Sequence, residues 1–221
     1  MNLLKMQDYF DPDLVRGTIH IIGCGSVGST VAELLARYGV KNMILHDNDV
    51  VESKNIVNQM FREKDIHEQK TIALRNILKE INPDLKVTCC DKWDEDTLVN
   101  GYVFICVDSM ETRQRIAHAL EYNSNIRLVM DFRTGLTTAD CFACRWNDYE
   151  ARQKFLKSMN YRDSDVENPV SACGNTLGVA GTVRLISTCG VCNFIEFVRS
   201  YEKYLKTMIN IDIENITVFS E

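Results

Sequence analysis

The chain has 221 residues, 45% of them hydrophobic and 25% charged, with a formal net charge of -6; these are the proportions of a globular α/β domain with room for a full core. No apolar run is long enough to cross a bilayer, and an acidic balance without a basic run argues against a nucleic-acid surface, which needs clustered Lys and Arg. The opening MNLLKMQDYFDPDL places acids where a secretory signal would have its apolar centre, so a cytoplasmic location is expected, with the nine cysteines as free thiols.

Apolar runs alternate with helical patterns through the first half of the chain, the grammar of βαβ units and a parallel sheet. Strands are predicted over 18–22, 43–46, 87–90, 103–107 and 128–131. Helices are predicted over 27–38, ended by Gly39, over 69–81, ended before Pro83, and over 111–122. The pattern then changes. Residues 137–146 alternate, with Phe142, Cys144 and Trp146 on one side and Cys141 and Ala143 on the other, as in an antiparallel or edge strand. A short amphipathic helix over 149–159, a mostly polar loop over 160–172, a long helix over 176–205 and one or two closing strands over 209–219 complete the chain. The expected fold is one α/β unit over 1–221: a doubly wound, Rossmann-like, mainly parallel half (1–135), then a crossover loop, long helix and C-terminal antiparallel extension (136–221).

Chemistry concentrates at the predicted strand ends. Gly23-x-Gly25-x-x-Gly28 lies between the first strand and the first helix, where a tight turn brings backbone and helix N-terminal amides up to a phosphate. Asp47 and Asp49 end the second strand, and Asp47 suits the ribose of either a dinucleotide or ATP. Asn55, Gln59 and Lys70 form a polar set with no task in hydride transfer. Asp108 closes the fourth strand, on the edge where open α/β sheets bind ligands.

In order and spacing this series, glycine loop, Asp47-Asn48-Asp49-Val50, Asn55 and Gln59, Lys70 with Ile81-Asn82-Pro83, then Asp108, resembles the ubiquitin-activating-enzyme-like family of ThiF/MoeB/HesA adenylyltransferases. The resemblance implies a ThiF-type fold, a homodimer, and ATP with Mg²⁺ as cofactors. It implies Asp47 on the ribose, Asn55 and Gln59 on the phosphates, Lys70 as a phosphate cation and Asp108 as metal ligand and catalytic group. The implied reaction is adenylation of a carboxylate on a ubiquitin-like or sulfur-carrier protein or a peptide. A nucleotide-binding scaffold without turnover and an NAD-dependent oxidoreductase are the alternatives.

One family residue is missing: the arginine of N-x-x-R-Q is Asn58 here. Arg62, one helical turn further on, is the expected substitute cation, with Arg133 next. Cys173 precedes the predicted long helix, where helix N-terminal amides would lower a thiol pKa; relatives that pass the acyl group to sulfur use a cysteine in this crossover region, so Cys173 is a candidate catalytic thiol. The pairs Cys141/Cys144 and Cys189/Cys192 have the spacing of a zinc site. The first pair lies in an alternating strand and the second inside a helix, so buried apolar cysteines and no structural zinc are expected.

Overall fold

The computed structural model describes residues 1–165 and 177–221. Five strands come first: β1 (Ile19–Ile22), β2 (Asn42–His46), β3 (Lys86–Cys90), β4 (Gly101–Ile105) and β5 (Ile126–Thr134). They pair in parallel in the order β3-β2-β1-β4-β5. Next come β6 (Thr138–Arg145), β7 (Met208–Asp212) and β8 (Thr217–Ser220), which extend the same sheet antiparallel beyond β5. The helices are α1 (Ser26–Arg37), α2 (Lys70–Ile81), α3 (Met110–Ala119), α4 (Tyr149–Lys157) and α5 (Ala180–Arg199). Among the described residues no helix is long and apolar enough to cross a membrane.

The sheet separates two cores. On one face α1, α2 and α5 cover Ile19, Ile21, Met43, Leu45, Phe104 and Phe132. On the other, α3 and α4 cover Ile22, Val103, Ile105 and Val129, together with Trp93 and Val99 from the helix-free crossover between β3 and β4. Strands β1 and β4 are buried along their whole length, which is why they read as continuous apolar runs, as covered parallel strands do. β6 sends Cys141 and Ala143 into the first core and Cys144, with Trp146 just past its end, into the second, the alternation its sequence predicts.

Strand β5 is longer than predicted because β6 pairs with it from Leu128 to Thr134. Helix α5 is shorter than the predicted 176–205. Val179 is extended (φ -104, ψ 141) and caps the start at Ala180, while Tyr201 and Glu202 at φ 53 and 66 reverse the chain just past Arg199. Within α5, Phe194 packs edge-on against Tyr102 and Phe104, with ring centroids 5.0 and 5.3 Å apart, and Gly190 lets the helix lie directly on Phe132.

A Cβ at Gly190 would sit 2.4 Å from the Phe132 ring. Gly190→Ala is therefore expected to destabilise by about 1–3 kcal/mol through overpacking, against the stabilisation Ala brings to an ordinary helix position; denaturant unfolding measures the sign. A second expectation concerns acid. His20 and His46 lie diagonally on β1 and β2, with Nδ1 and Nε2 3.2 Å apart. Burial lowers both pKa values to about 4; the neighbouring His46 charge also lowers His20, whereas Asp94 partly raises His46. The unfolded chain protonates its histidines near pH 6.5 and the folded chain does not, so stability is complete above pH ~6.5 and is lost toward pH ~4, at up to ~1.4 kcal/mol per pH unit for each histidine. His20→Gln should flatten that slope in chemical denaturation across this window.

Candidate active site

The strand order reverses at β1 and β4: the chain leaves β1 through α1 on one face and β4 through α3 on the other. Carboxyl-end crevices at such switch points hold ligands. Here the crevice is a cleft of ≈480 Å³ lined by the glycine loop, Asp47, Asp49, Asn55, Gln59, Lys70, Trp93 and Asp108.

The loop is shaped by close approaches. Gly23 has φ 91, and a Cβ there would meet the Cys106 carbonyl at 2.8 Å; one at Gly28 would fall 1.8 Å from the Gly23 carbonyl oxygen. Only hydrogen at these positions lets α1 start directly against the ends of β1 and β4. Gly25 is the α1 N-cap and has nothing within 4 Å of its Cβ position. The start of α1, whose first-turn amides lack intrahelical partners and whose dipole favours an anion, thus opens onto the cleft at Gly25 and Ser26.

Asp47 is held rigidly: its Oδ2 accepts from the Cys24 amide (2.7 Å) and its Oδ1 from the Asp49 amide (2.8 Å). Burial raises its pKa above the ordinary carboxylate value, opposed by these two amides and by Lys70. Each carboxylate oxygen keeps a lone pair for a ligand hydroxyl. Lys70 opens α2, donates its amide to the Asp49 carbonyl (2.9 Å), and places its buried ammonium 2.7 Å from Asp49 Oδ2. Two segments twenty-one residues apart in sequence are joined at one point.

Asn55 is buried and its Oδ1 accepts from the Glu52 amide (2.9 Å), closing a capping box on the turn Ser53–Asn55. The Gln59 carboxamide oxygen is buried in the cleft wall without a partner. Asp108 is exposed at the rim. The loop before it is fastened by Arg113, whose guanidinium binds the Val107 carbonyl and the wholly buried Asp131.

Arg62 does not join this group. Its guanidinium pairs with Glu80 (3.0 Å) near the far end of α2, roughly 15 Å along the helix from Lys70, because residues 62–65 form a separate turn in which the Arg62 amide donates to Asp65 rather than a helical continuation of the Asn55 segment. Asn58 likewise turns away and donates to the Gly178 carbonyl (3.2 Å). Arg133 is committed to Asp131 (2.6 Å) and to the Ser158 carbonyl (2.8 Å). Cys173 lies outside the described residues. The thiol at the cleft wall, Cys106, and the neighbouring Cys24 have pKa values raised by burial, so both stay protonated and unreactive at neutral pH.

Cys141 and Cys144 lie in opposite cores and cannot share one metal ion; Cys189 is half-buried and Cys192 is exposed, not buried as expected. Among the described residues, no three His, Cys, Asp or Glu side chains are grouped to hold a metal by themselves. Mg²⁺ is commonly bound through only one or two carboxylates, with phosphate oxygens and water, and the cleft offers the carboxylates of Asp47, Asp49, Glu52 and Asp108.

Several lining residues have no counterpart in the sequence reading: His46, Lys54, Lys92 and Trp93. The only signal for the last two was a tryptophan in the acidic stretch Asp91-Lys92-Trp93-Asp94. Trp93 Nε1 and His46 Nδ1 are buried without partners. The cleft is thus lined both by Gly25 and Ser26 at the α1 N-terminus and by the apolar side chains of Ile22, Trp93, Val107 and Ile116. These orphaned atoms and the open space at Gly25 fit a nucleotide.

The ThiF family model matches residues 3–221. The sulfur carrier protein ThiS adenylyltransferase of Escherichia coli (strain K12) is 26% identical over 194 residues, 79% of this chain and 74% of that protein. Ubiquitin-like modifier-activating enzyme 5 of Dictyostelium discoideum is 32% identical over 138 residues, 54% of this chain and 36% of that protein. The E. coli MccB structure with succinimide superposes with a TM-score of 0.72 at 18% identity over 95% of this chain and 64% of that one, a likeness of fold. The chain therefore spans about a third of the length of the Dictyostelium relative and just under two thirds of MccB. With the glycine loop, Asp47, Lys70 and Asp108 gathered in one cleft and the family pattern running from end to end, the chain belongs to the ThiF family.

Proposed function

We propose that the protein adenylates a carboxylate with Mg²⁺-ATP, the carboxylate being the C-terminus of a ubiquitin-like or sulfur-carrier protein or of a peptide. The observation that carries this reading is the convergence of Asp47, Lys70 and Asp108 on the open N-terminus of α1. Relatives support it: one is named as an adenylyltransferase acting on ThiS and another as an activating enzyme for a ubiquitin-like modifier, while MccB has been solved with ATP and with MccA.

In this reading an acceptor carboxylate oxygen attacks the α-phosphorus of ATP. The bond from that phosphorus to the oxygen bridging the α- and β-phosphates breaks, and pyrophosphate leaves with the electron pair. The nucleophile is already ionised, so no proton needs to be removed. The protein's work is positioning and charge stabilisation. Asp47 holds the ribose hydroxyls, the first-turn amides of α1 and Lys70 offset phosphate charge, and Asp108 holds Mg²⁺. Four carboxylates, Asp47, Asp49, Glu52 and Asp108, face three lysines in this cleft, a balance that disfavours free ATP and favours its magnesium complex.

A second reading, a nucleotide-binding scaffold without turnover, is favoured by Asn58, whose amide is engaged by Gly178 rather than by the cleft.

Calorimetry should show binding of ATP in Mg²⁺ and no binding of NAD, with Asp108→Asn lowering affinity in Mg²⁺ to that found in EDTA. Binding of NAD alone would contradict the assignment. With an acceptor present, ATP:pyrophosphate exchange separates the enzyme from the scaffold. Lys70→Ala should slow that exchange by about 2.7–4 kcal/mol of transition-state stabilisation, roughly 10²–10³-fold, and a wild-type protein that binds ATP yet exchanges no pyrophosphate with any acceptor supports the scaffold.

A further inference from the structure

The arginines that could supply a cation are already engaged: Arg62 by Glu80 away from the cleft, Arg113 and Arg133 by Asp131, and Arg184 by Thr30 Oγ1 at 2.9 Å. None of them lines the cleft; among the described residues, the side chains that bring positive charge to its wall are Lys54, Lys70 and Lys92. Lys92 adjoins Trp93 in the cleft wall. Lys70 is held by Asp49.

Lys54 is differently placed. It stands in the turn Ser53–Asn55, and the segment that follows is clamped to the first turn of α1, where the Met60 amide donates to Ser29 Oγ (3.2 Å). Lys54 lines the same cleft as Gly25 and Ser26 at the start of α1. Its ammonium rests 3.1 Å from Glu52 Oε1, with both side chains more than half exposed. Glu52 is itself anchored, since its side chain and backbone amide make the capping box with Asn55. An exposed Lys–Glu pair of this kind is weak, and a polyphosphate carries more charge and more acceptor oxygens than a carboxylate.

We propose that Lys54 is a phosphate-binding cation of the cleft and that Glu52 is its resident counter-ion, displaced when the polyphosphate of the nucleotide enters. The assignment rests on the nucleotide reading above and names a residue of that site which no part of the glycine loop, Asp47 or Asp108 specifies. It also gives the Glu52 carboxylate a definite effect: it opposes nucleotide binding, and its neutral isostere keeps the capping box.

Calorimetric titration of Mg²⁺-ATP and of adenosine into the full chain tests this. Lys54→Ala should weaken Mg²⁺-ATP by about tenfold or more, the loss of one charge-assisted hydrogen bond, and leave adenosine unchanged. Lys54→Arg should retain most of the affinity, Glu52→Gln should tighten ATP several-fold, and Arg62→Ala should change nothing. Unaltered ATP binding by Lys54→Ala, an equal loss for adenosine, or weaker binding by Glu52→Gln would each overturn the assignment while leaving the nucleotide site standing. A wild-type chain that binds neither ATP nor adenosine would overturn the nucleotide reading together with it.

Discussion

The geometry of this protein depends on how closely α1 approaches the sheet. The Gly28 position lies against the Gly23 carbonyl, where a Cβ would sit only 1.8 Å from the oxygen, and a helix begun any further away would not present its first-turn amides at the crevice between β1 and β4. That approach sets the depth of the cleft. It also sets the position of Asp47, whose carboxylate accepts the amide of Cys24 in the same loop, and through the Asp49 carbonyl and Lys70 amide it fixes where α2 begins. The site is thus a consequence of backbone packing, and its polar side chains are fastened to that backbone rather than to each other alone.

A second, buried system supports the opposite wall. Asp131 is fully enclosed within β5, opposite the last residue of β4, and is paired with both Arg113 and Arg133. A buried carboxylate left with no partner would be strongly destabilising, and here each carboxylate oxygen is held by one arginine. Arg113 also holds the Val107 carbonyl, the residue before Asp108, and Arg133 reaches Ser158 at the end of α4. The second half of the chain braces the site in this way, which explains why these arginines are not available to a ligand and why the cleft relies on lysines with acidic counter-ions.

The doubly wound order was legible because its evidence is periodic: the central strands are predominantly apolar, and α1 and α3 start within five residues of the ends of β1 and β4. The glycine loop, Asp47, Lys70 and Asp108 were legible because each falls at a strand or helix end on one edge of the sheet, where topology alone brings them together. The expectation for Arg62 rested on a helical segment from Asn58, whereas that segment is non-helical and joins separate turns at Ser53–Asn55 and Glu63–Asp65. Lys54 and Trp93 lie in a turn and in a crossover with no periodicity, so nothing local marks them as facing the cleft. The end of α5 was overrun because Tyr201 and Glu202, residues with no special preference for positive φ, adopt it there.

The central claim is that this cleft holds a nucleotide in one direction, with its phosphates at the start of α1 and its base against the apolar side chains of the wall. A crystal structure with Mg²⁺ and a non-hydrolysable ATP analogue tests it most directly. The account predicts phosphate oxygens within hydrogen-bond distance of the Ser26 amide and Lys70, ribose hydroxyls on Asp47, and the base against Trp93 and His46. A nucleotide bound in the reverse direction, or outside this cleft, would contradict it.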